Sequence, residues 1–283
     1  MERSPILVLQ MAKVASYAWY EAIRRACPER EVLHLHTVRP DGIARLRNQA
    51  RSGTRRVPGR LLGLIDEATE ARLRSAIDGG RPIKIVSGIR DPVDRAASVF
   101  FFHTEFYRDA PSIPSPRRGA SVEELLSYFH QAWRKALSGD TPTAAFDAWL
   151  QTGFIAYRDW FDRQIRDVFA LDVTSAAFDR QRGVLTAASG PVDLVCYRFE
   201  DLAAGNAATR RVIDTISAFL DVPIDALPPT NKTEQRQTRD LYRDFRSRLR
   251  LPADTVEAIF SPAILSTFYD AAELDAMKRR WRQ

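Results

Sequence analysis

The chain predicts an α/β protein, a parallel sheet flanked by helices, with a helical insertion and a helical C-terminal region. Three observations carry this reading. Residues 5–10 (PILVLQ), 83–89 (IKIVSGI) and 192–198 (VDLVCYR) are short, largely apolar runs, as expected of strands buried on both faces. Between them, apolar residues recur at helical spacing, as in Trp19, Ala22, Ile23 and Ala26. The alternation of the two patterns along the first hundred residues is the order that a parallel sheet with crossover helices requires.

In chain order, 5–10 is the first strand and 18–26 the first helix. Residues 31–35 (EVLHL) repeat the strand signal after Cys27-Pro28, and 61–77 read as a helix ended by Gly79-Gly80. Strand 83–89 runs into Arg90-Asp91-Pro92 and a helix to about Phe106, with Pro92 in the first turn, where its missing amide costs nothing. Residues 108–119 carry three prolines and four charges and form a loop. Helices at about 121–137, 143–151 and 154–170 then make up an insertion spanning about 104–190. Strand 192–198, helix 207–220 and a run of helices from about 234 complete one domain over 1–283.

The chain has 283 residues, a formal net charge of +6, 45% hydrophobic residues and two cysteines, which excludes a disordered chain, collagen or a disulfide framework. No apolar run approaches the ~20 residues of a membrane span, and the N-terminus reads as a strand and not a signal peptide, so a cytoplasmic protein is expected. Cys27 and Cys196 stand apart from each other and from any histidine cluster; they read as structural thiols, and no metal site is expected. Basic residues number 42, of which only Lys13, Lys84, Lys135, Lys232 and Lys278 are lysines. So many arginines and alanines suit a GC-rich bacterial genome, and in such a chain a lysine inside a motif is informative. The positive charge suits anionic partners: nucleotides, acidic glycans or nucleic acid. The stretch Arg45–Arg60 reads as a solvated helix and loop or as a surface toward an anionic substrate.

Two motifs carry chemistry. The first strand leads into Met11-Ala12-Lys13-Val14-Ala15-Ser16-Tyr17, a turn that opens a helix, where unpaired backbone amides, a lysine charge and a hydroxyl can hold a phosphate. The GxxxxGK[ST] pattern of nucleoside triphosphatases is absent. The third strand ends in Arg90-Asp91-Pro92-Val93-Asp94-Arg95-Ala96-Ala97-Ser98. Arg90 and Ser98 lie eight residues apart, about two helical turns, so a guanidinium and a hydroxyl could converge on one phosphate. Asp94 and Arg95 read as surface or packing residues.

These motifs resemble those of the sulfotransferases that use 3′-phosphoadenosine 5′-phosphosulfate (PAPS). Ala12-Lys13-Val14-Ala15-Ser16-Tyr17 is similar to their 5′-phosphosulfate loop, Pro-Lys-x-Gly-Ser/Thr-x, with alanine in place of the proline and the glycine. Arg90, Pro92, Arg95 and Ser98 match their Arg-x-Pro-x-x-Arg-x-x-Ser 3′-phosphate motif. Trp160–Ile165 with Val168–Val173, Tyr197–Leu202, and Phe268–Leu274 with Trp281 resemble stretches of bacterial sulfotransferase-like capsular polysaccharide proteins. The resemblance implies a P-loop-like fold and transfer of a sulfuryl group from PAPS to a hydroxyl of a glycan or small molecule. It implies that Lys13, Val14, Ala15, Ser16, Tyr17 and Ala18 hold the 5′-phosphosulfate and that Arg90 and Ser98 hold the 3′-phosphate. It also places a general base in the histidine-containing stretch after the second strand. His34 and His36 are the candidates there, with His36 favoured because it lies nearer the carboxyl end of the strand. His103 is a weaker candidate, and His130 reads as a surface or packing residue. Two other readings compete: a kinase with a degenerate phosphate loop using Glu200-Asp201 for a metal, and a basic nucleic-acid-binding protein, for which no helix-turn-helix, zinc or RNP signature exists.

Overall fold

The computed structural model describes residues 4–51, 65–106, 114–139, 153–205, 207–228 and 238–283. The protein is α/β, with one five-stranded, mostly parallel sheet and many helices. The described residues group into two compact units: 4–51, 65–90, 159–205 and 207–228 in the first, and 91–106, 114–139, 153–158 and 238–283 in the second.

The first unit holds the sheet. Its strands are β1 (Ile6–Leu9), β2 (Val32–Leu35), β3 (Ile83–Ile89), β4 (Val184–Ser189) and β5 (Val192–Arg198), in the order β2-β1-β3-β5-β4. β1 pairs in parallel with β2 and with β3, and β3 in parallel with β5. All four β1 residues are fully buried, as its unbroken apolar run demands. The helices of this unit include α1 (Ser16–Ala26), α2 (Pro40–Arg51) and α3 (Glu67–Asp78), and the residues Phe199–Ala203 and Ala207–Leu220 are helical as well. On the face of the sheet that carries Val8, Val86, Val195 and Tyr197, a core forms with Trp19, Ala22 and Ile23 of α1.

Two expectations are corrected here. The sheet is not wholly parallel: β4 runs antiparallel to β5 and forms an edge, inside the stretch expected to be a helical insertion. Gly190 at φ 54° makes the tight reversal between them. The helix expected from 61 begins at Glu67, because Asp66 is its N-cap and its carboxylate accepts from the Thr69 amide at 2.7 Å; residues 61–64 lie outside the described residues, as does the helix expected at 143–151. The stretch expected to be helical at 154–170 contains two short 3₁₀ and α turns around a π-helical turn, Asp162–Arg166.

The second unit is helical where described. It contains α4 (Pro92–Phe106) and α5 (Val122–Ser138), the latter started by a reciprocal Ser121/Glu124 capping box. Within it, Asp91 caps α4: one carboxylate oxygen accepts from the amides of Val93 (2.9 Å) and Asp94 (3.2 Å), and the other accepts from Trp281 Nε1 (2.7 Å). Phe100, Phe101, Phe129, Trp133, Phe154 and Phe245 are fully buried, so the triple phenylalanine of α4 is core. Among the described residues no helix is long and apolar enough to cross a membrane.

Candidate functional site

In the first unit, connections leave β1 toward β2 on one side and β3 toward β5 on the other. This makes the carboxyl ends of β1 and β3 the place where the strand order reverses, the usual ligand crevice of open α/β sheets. The segments at that place are the β1–α1 turn and Arg90.

The turn is built on strained backbone. Lys13 (φ 72°) and Ala15 (φ 70°) both lie in the left-handed region that disfavours side chains. Ala15 is the N-cap of α1 and supplies no side-chain cap, and the first turn of α1 contains no acidic residue. The positive end of the helix is therefore not neutralised by its own first turn. The Ala18 amide donates to the Ala15 carbonyl at 3.0 Å, so of the expected phosphate-loop amides this one is already engaged. Ser16 is buried, its Oγ 3.0 Å from His34 Nε2.

His34 and His36 come together, with ring centroids 4.8 Å apart and edge-on. His34 is buried, and Tyr20 stacks on it at 5.7 Å. Tyr17 meets the same ring edge-on at 6.0 Å. His36 Nδ1 lies 2.7 Å from the Gln10 carbonyl. A carbonyl only accepts, so Nδ1 carries the proton, and the lone pair of the neutral ring sits on Nε2. The Trp160 indole donates to the His36 carbonyl at 3.2 Å, and the Gln164 side chain, from the π-helical turn, accepts from the Val38 amide at 3.0 Å. The segment after β2 is thereby fixed by residues some 125 positions later.

Arg90 is 9% exposed. Its guanidinium lies 4.2 Å over the Phe199 ring and donates to the Lys13 carbonyl at 3.1 Å, while Nε is buried without a partner among the described residues. An arginine so placed braces the phosphate-loop candidate and retains donor capacity that burial makes costly to leave unused.

Three residues absent from the sequence-based candidates shape this site. Tyr197, on β5, is fully buried; its hydroxyl donates to the Val14 carbonyl and lies 2.9 Å from Gln10 Oε1. Burial drives its pKa well above the ordinary value, so it stays protonated as a donor. Gly88 makes room for that ring: a Cβ there would stand 2.7 Å from Tyr197 Cζ. Gln10, the polar end of an otherwise apolar run, was a visible signal for the third member of this arrangement.

Of the remaining candidates, Ser98 is buried in α4, in the second unit, and is described there and not with Arg90. Arg95 is 1% exposed and donates to the Gly153 and Phe154 carbonyls, so within that motif it is a core brace. Asp94 is buried and accepts a fork from Arg246 at 2.6 and 2.7 Å. The side chain of His103 lies outside what the structure describes. Burial lowers the pKa of His130, favouring its neutral form. Compared with models of known protein families, with curated proteins and with solved structures, the chain matches none.

Proposed function

We propose that this protein is a sulfotransferase with a P-loop-like phosphate site, moving a sulfuryl group from PAPS to a hydroxyl of a glycan or small-molecule acceptor. The observation that supports this most is the β1–α1 turn. Two non-glycine residues are held at positive φ around Lys13, at the start of a helix with no acid of its own, and a buried arginine from the next strand is bonded to the same turn. Strain of this kind costs about 1–3 kcal/mol per residue and persists where the surroundings hold it for use.

PAPS, when bound, supplies the sulfuryl group and a bisphosphate as leaving group. Lys13 and the turn amides would hold the 5′-phosphosulfate, with Ser16 oriented by His34; Arg90 would serve the 3′-phosphate. Lys13 would offset the charge that grows on the departing phosphate oxygen. His36 would take the acceptor proton on Nε2, the nitrogen opposite the one tied to Gln10. Of the pair a kinase reading would use, Asp201 is already held by the Arg198 fork at 2.8 and 3.0 Å.

The test is a thermal-shift comparison of PAP, the 3′,5′-bisphosphate product, with ATP. Saturating PAP, at a hundred times Kd, should stabilise the protein by about 2.7 kcal/mol, and ATP at the same concentration by much less. Equal shifts would remove the assignment of a 3′-phosphate site.

A further inference from the structure

We propose that the second unit carries a separate binding cleft for a compact polyanion bearing sulfate or phosphate groups. Two elements build it. The first is α6 (Arg239–Arg248), with Arg250 just beyond its end, and the second is α7 (Ala271–Trp281). Arg239, Arg243 and Arg246 fall at i, i+4 and i+7, one face of α6 and about 10 Å long at ~1.5 Å per residue. Together with Arg250 and Arg280 they line a cavity of about 380 Å³, whose wall also includes Tyr242 and Trp281. That volume is within the ~300–1,000 Å³ typical of small-molecule sites.

The charge in this cleft is one-sided. Its lining, among the described residues, contains five guanidinium groups and no carboxylate. Among the described residues the acids beside it are Asp94, which serves both Arg246 and Arg280, Asp91, which accepts from Trp281 Nε1 and acts on Arg246, and Asp240, which serves both Arg239 and Arg243. Asp240 is 81% exposed, and its contacts of 3.4–3.5 Å are of the screened surface kind. Arg250 donates to the Ser247 and Leu249 carbonyls, which orient it, and among the described residues it pairs with no carboxylate. More cationic charge is gathered here than the neighbouring acids offset.

The cleft is also pre-organised. The Asp94 fork fixes Arg246, and Arg280 lies 4.4 Å over the Trp281 ring. Planar, oriented guanidinium groups are matched to the tetrahedral oxyanions of sulfate and phosphate. Tyr242 and Trp281 are 9% and 1% exposed, so they form wall and floor but present no open ring face on which successive bases could stack. This favours a compact polyanion over a nucleic-acid strand.

The experiment is a calorimetric titration of the full chain with sucrose octasulfate and, separately, with inositol hexakisphosphate. Each should bind with one-to-one stoichiometry; whichever binds more tightly identifies the sulfate or the phosphate source. Arg243→Glu with Arg250→Glu should weaken binding by at least about tenfold, or about 1.4 kcal/mol, with no change in the thermal melt of the free protein. Should that variant not fold, Arg239→Gln with Arg243→Gln should give a smaller loss in the same direction. Lys13→Ala should leave both titrations unchanged, which separates this cleft from the turn in the first unit. Absence of binding, indifference to the arginine variants, loss on Lys13→Ala, or tighter binding of a single-stranded oligonucleotide would each overturn the proposal.

Discussion

Ala15 sits at φ 70° at the N-cap of α1, a conformation that costs an L-residue about 1–2 kcal/mol. Ala15→Gly should therefore keep or raise stability in urea melts despite the chain entropy it adds, whereas Ala15→Val should lose at least about 1 kcal/mol. The paired histidines divide by the same kind of reasoning. His34 touches Ser16, so His34→Ala should lower PAP affinity several-fold; His36 is tied to Gln10, so His36→Ala should leave PAP affinity within about 0.5 kcal/mol. Direct binding measurements on the two variants check this, and equal losses would contradict the division of roles. Lys13 was legible in the sequence because lysine is rare in this chain and this one follows an apolar strand. The positive φ of its turn and the Ser16–His34 contact were not, since neither leaves a mark in composition or periodicity.

At the scale of elements, the strand that leads into Arg90 and the strand that carries Tyr197 are coupled through Gly88. An alanine at Gly88 would press on the Tyr197 ring at 2.7 Å, so Gly88→Ala should destabilise the protein by about 1–3 kcal/mol. Tyr197→Phe keeps the ring but removes the donor to the Val14 carbonyl, so it should cost about 1–3 kcal/mol and weaken PAP binding at the turn. Denaturant melts and PAP titrations of the two variants check both statements. Strands β1, β3 and β5 were readable because buried parallel strands are nearly continuous apolar runs. β4 escaped because its sequence, VLTAAS, is half exposed, rich in alanine and serine, and held mainly by one partner across a glycine turn. The start of α3 was misplaced because apolar spacing upstream of Asp66 looks helical, while the capping carboxylate decides where the helix begins.

For the whole molecule, buried hydroxyl and thiol groups make an alkaline limit to stability. Burial pushes the Tyr157 pKa up to about 12 and raises those of Tyr197 and Cys196. A folded-state pKa above the unfolded value of ~10 means that the unfolded chain loses its proton first. The stability Tyr157 contributes is thus complete below pH ~10 and is lost as pH rises toward ~12, by about 2–3 kcal/mol. Tyr157→Phe should lower stability at neutral pH by about 1 kcal/mol, through the lost bond to the Ile259 carbonyl, and should flatten the alkaline decline in melts taken from pH 9 upward. The fold class was within reach of the sequence because it depends on pattern over long stretches; the grouping into two units with a boundary at Arg90 was not, because it depends on contacts between residues far apart in sequence. The central claim, recognition of a 3′-phosphorylated adenosine nucleotide by the Lys13 turn and Arg90, is tested most directly by calorimetric titration with PAP and with adenosine 5′-monophosphate. PAP should bind at least about tenfold more tightly, or about 1.4 kcal/mol. Lys13→Ala should weaken both ligands, and Arg90→Lys should narrow the difference between them. Equal affinities for the two nucleotides in the unaltered protein, or an unchanged difference in Arg90→Lys, would contradict it.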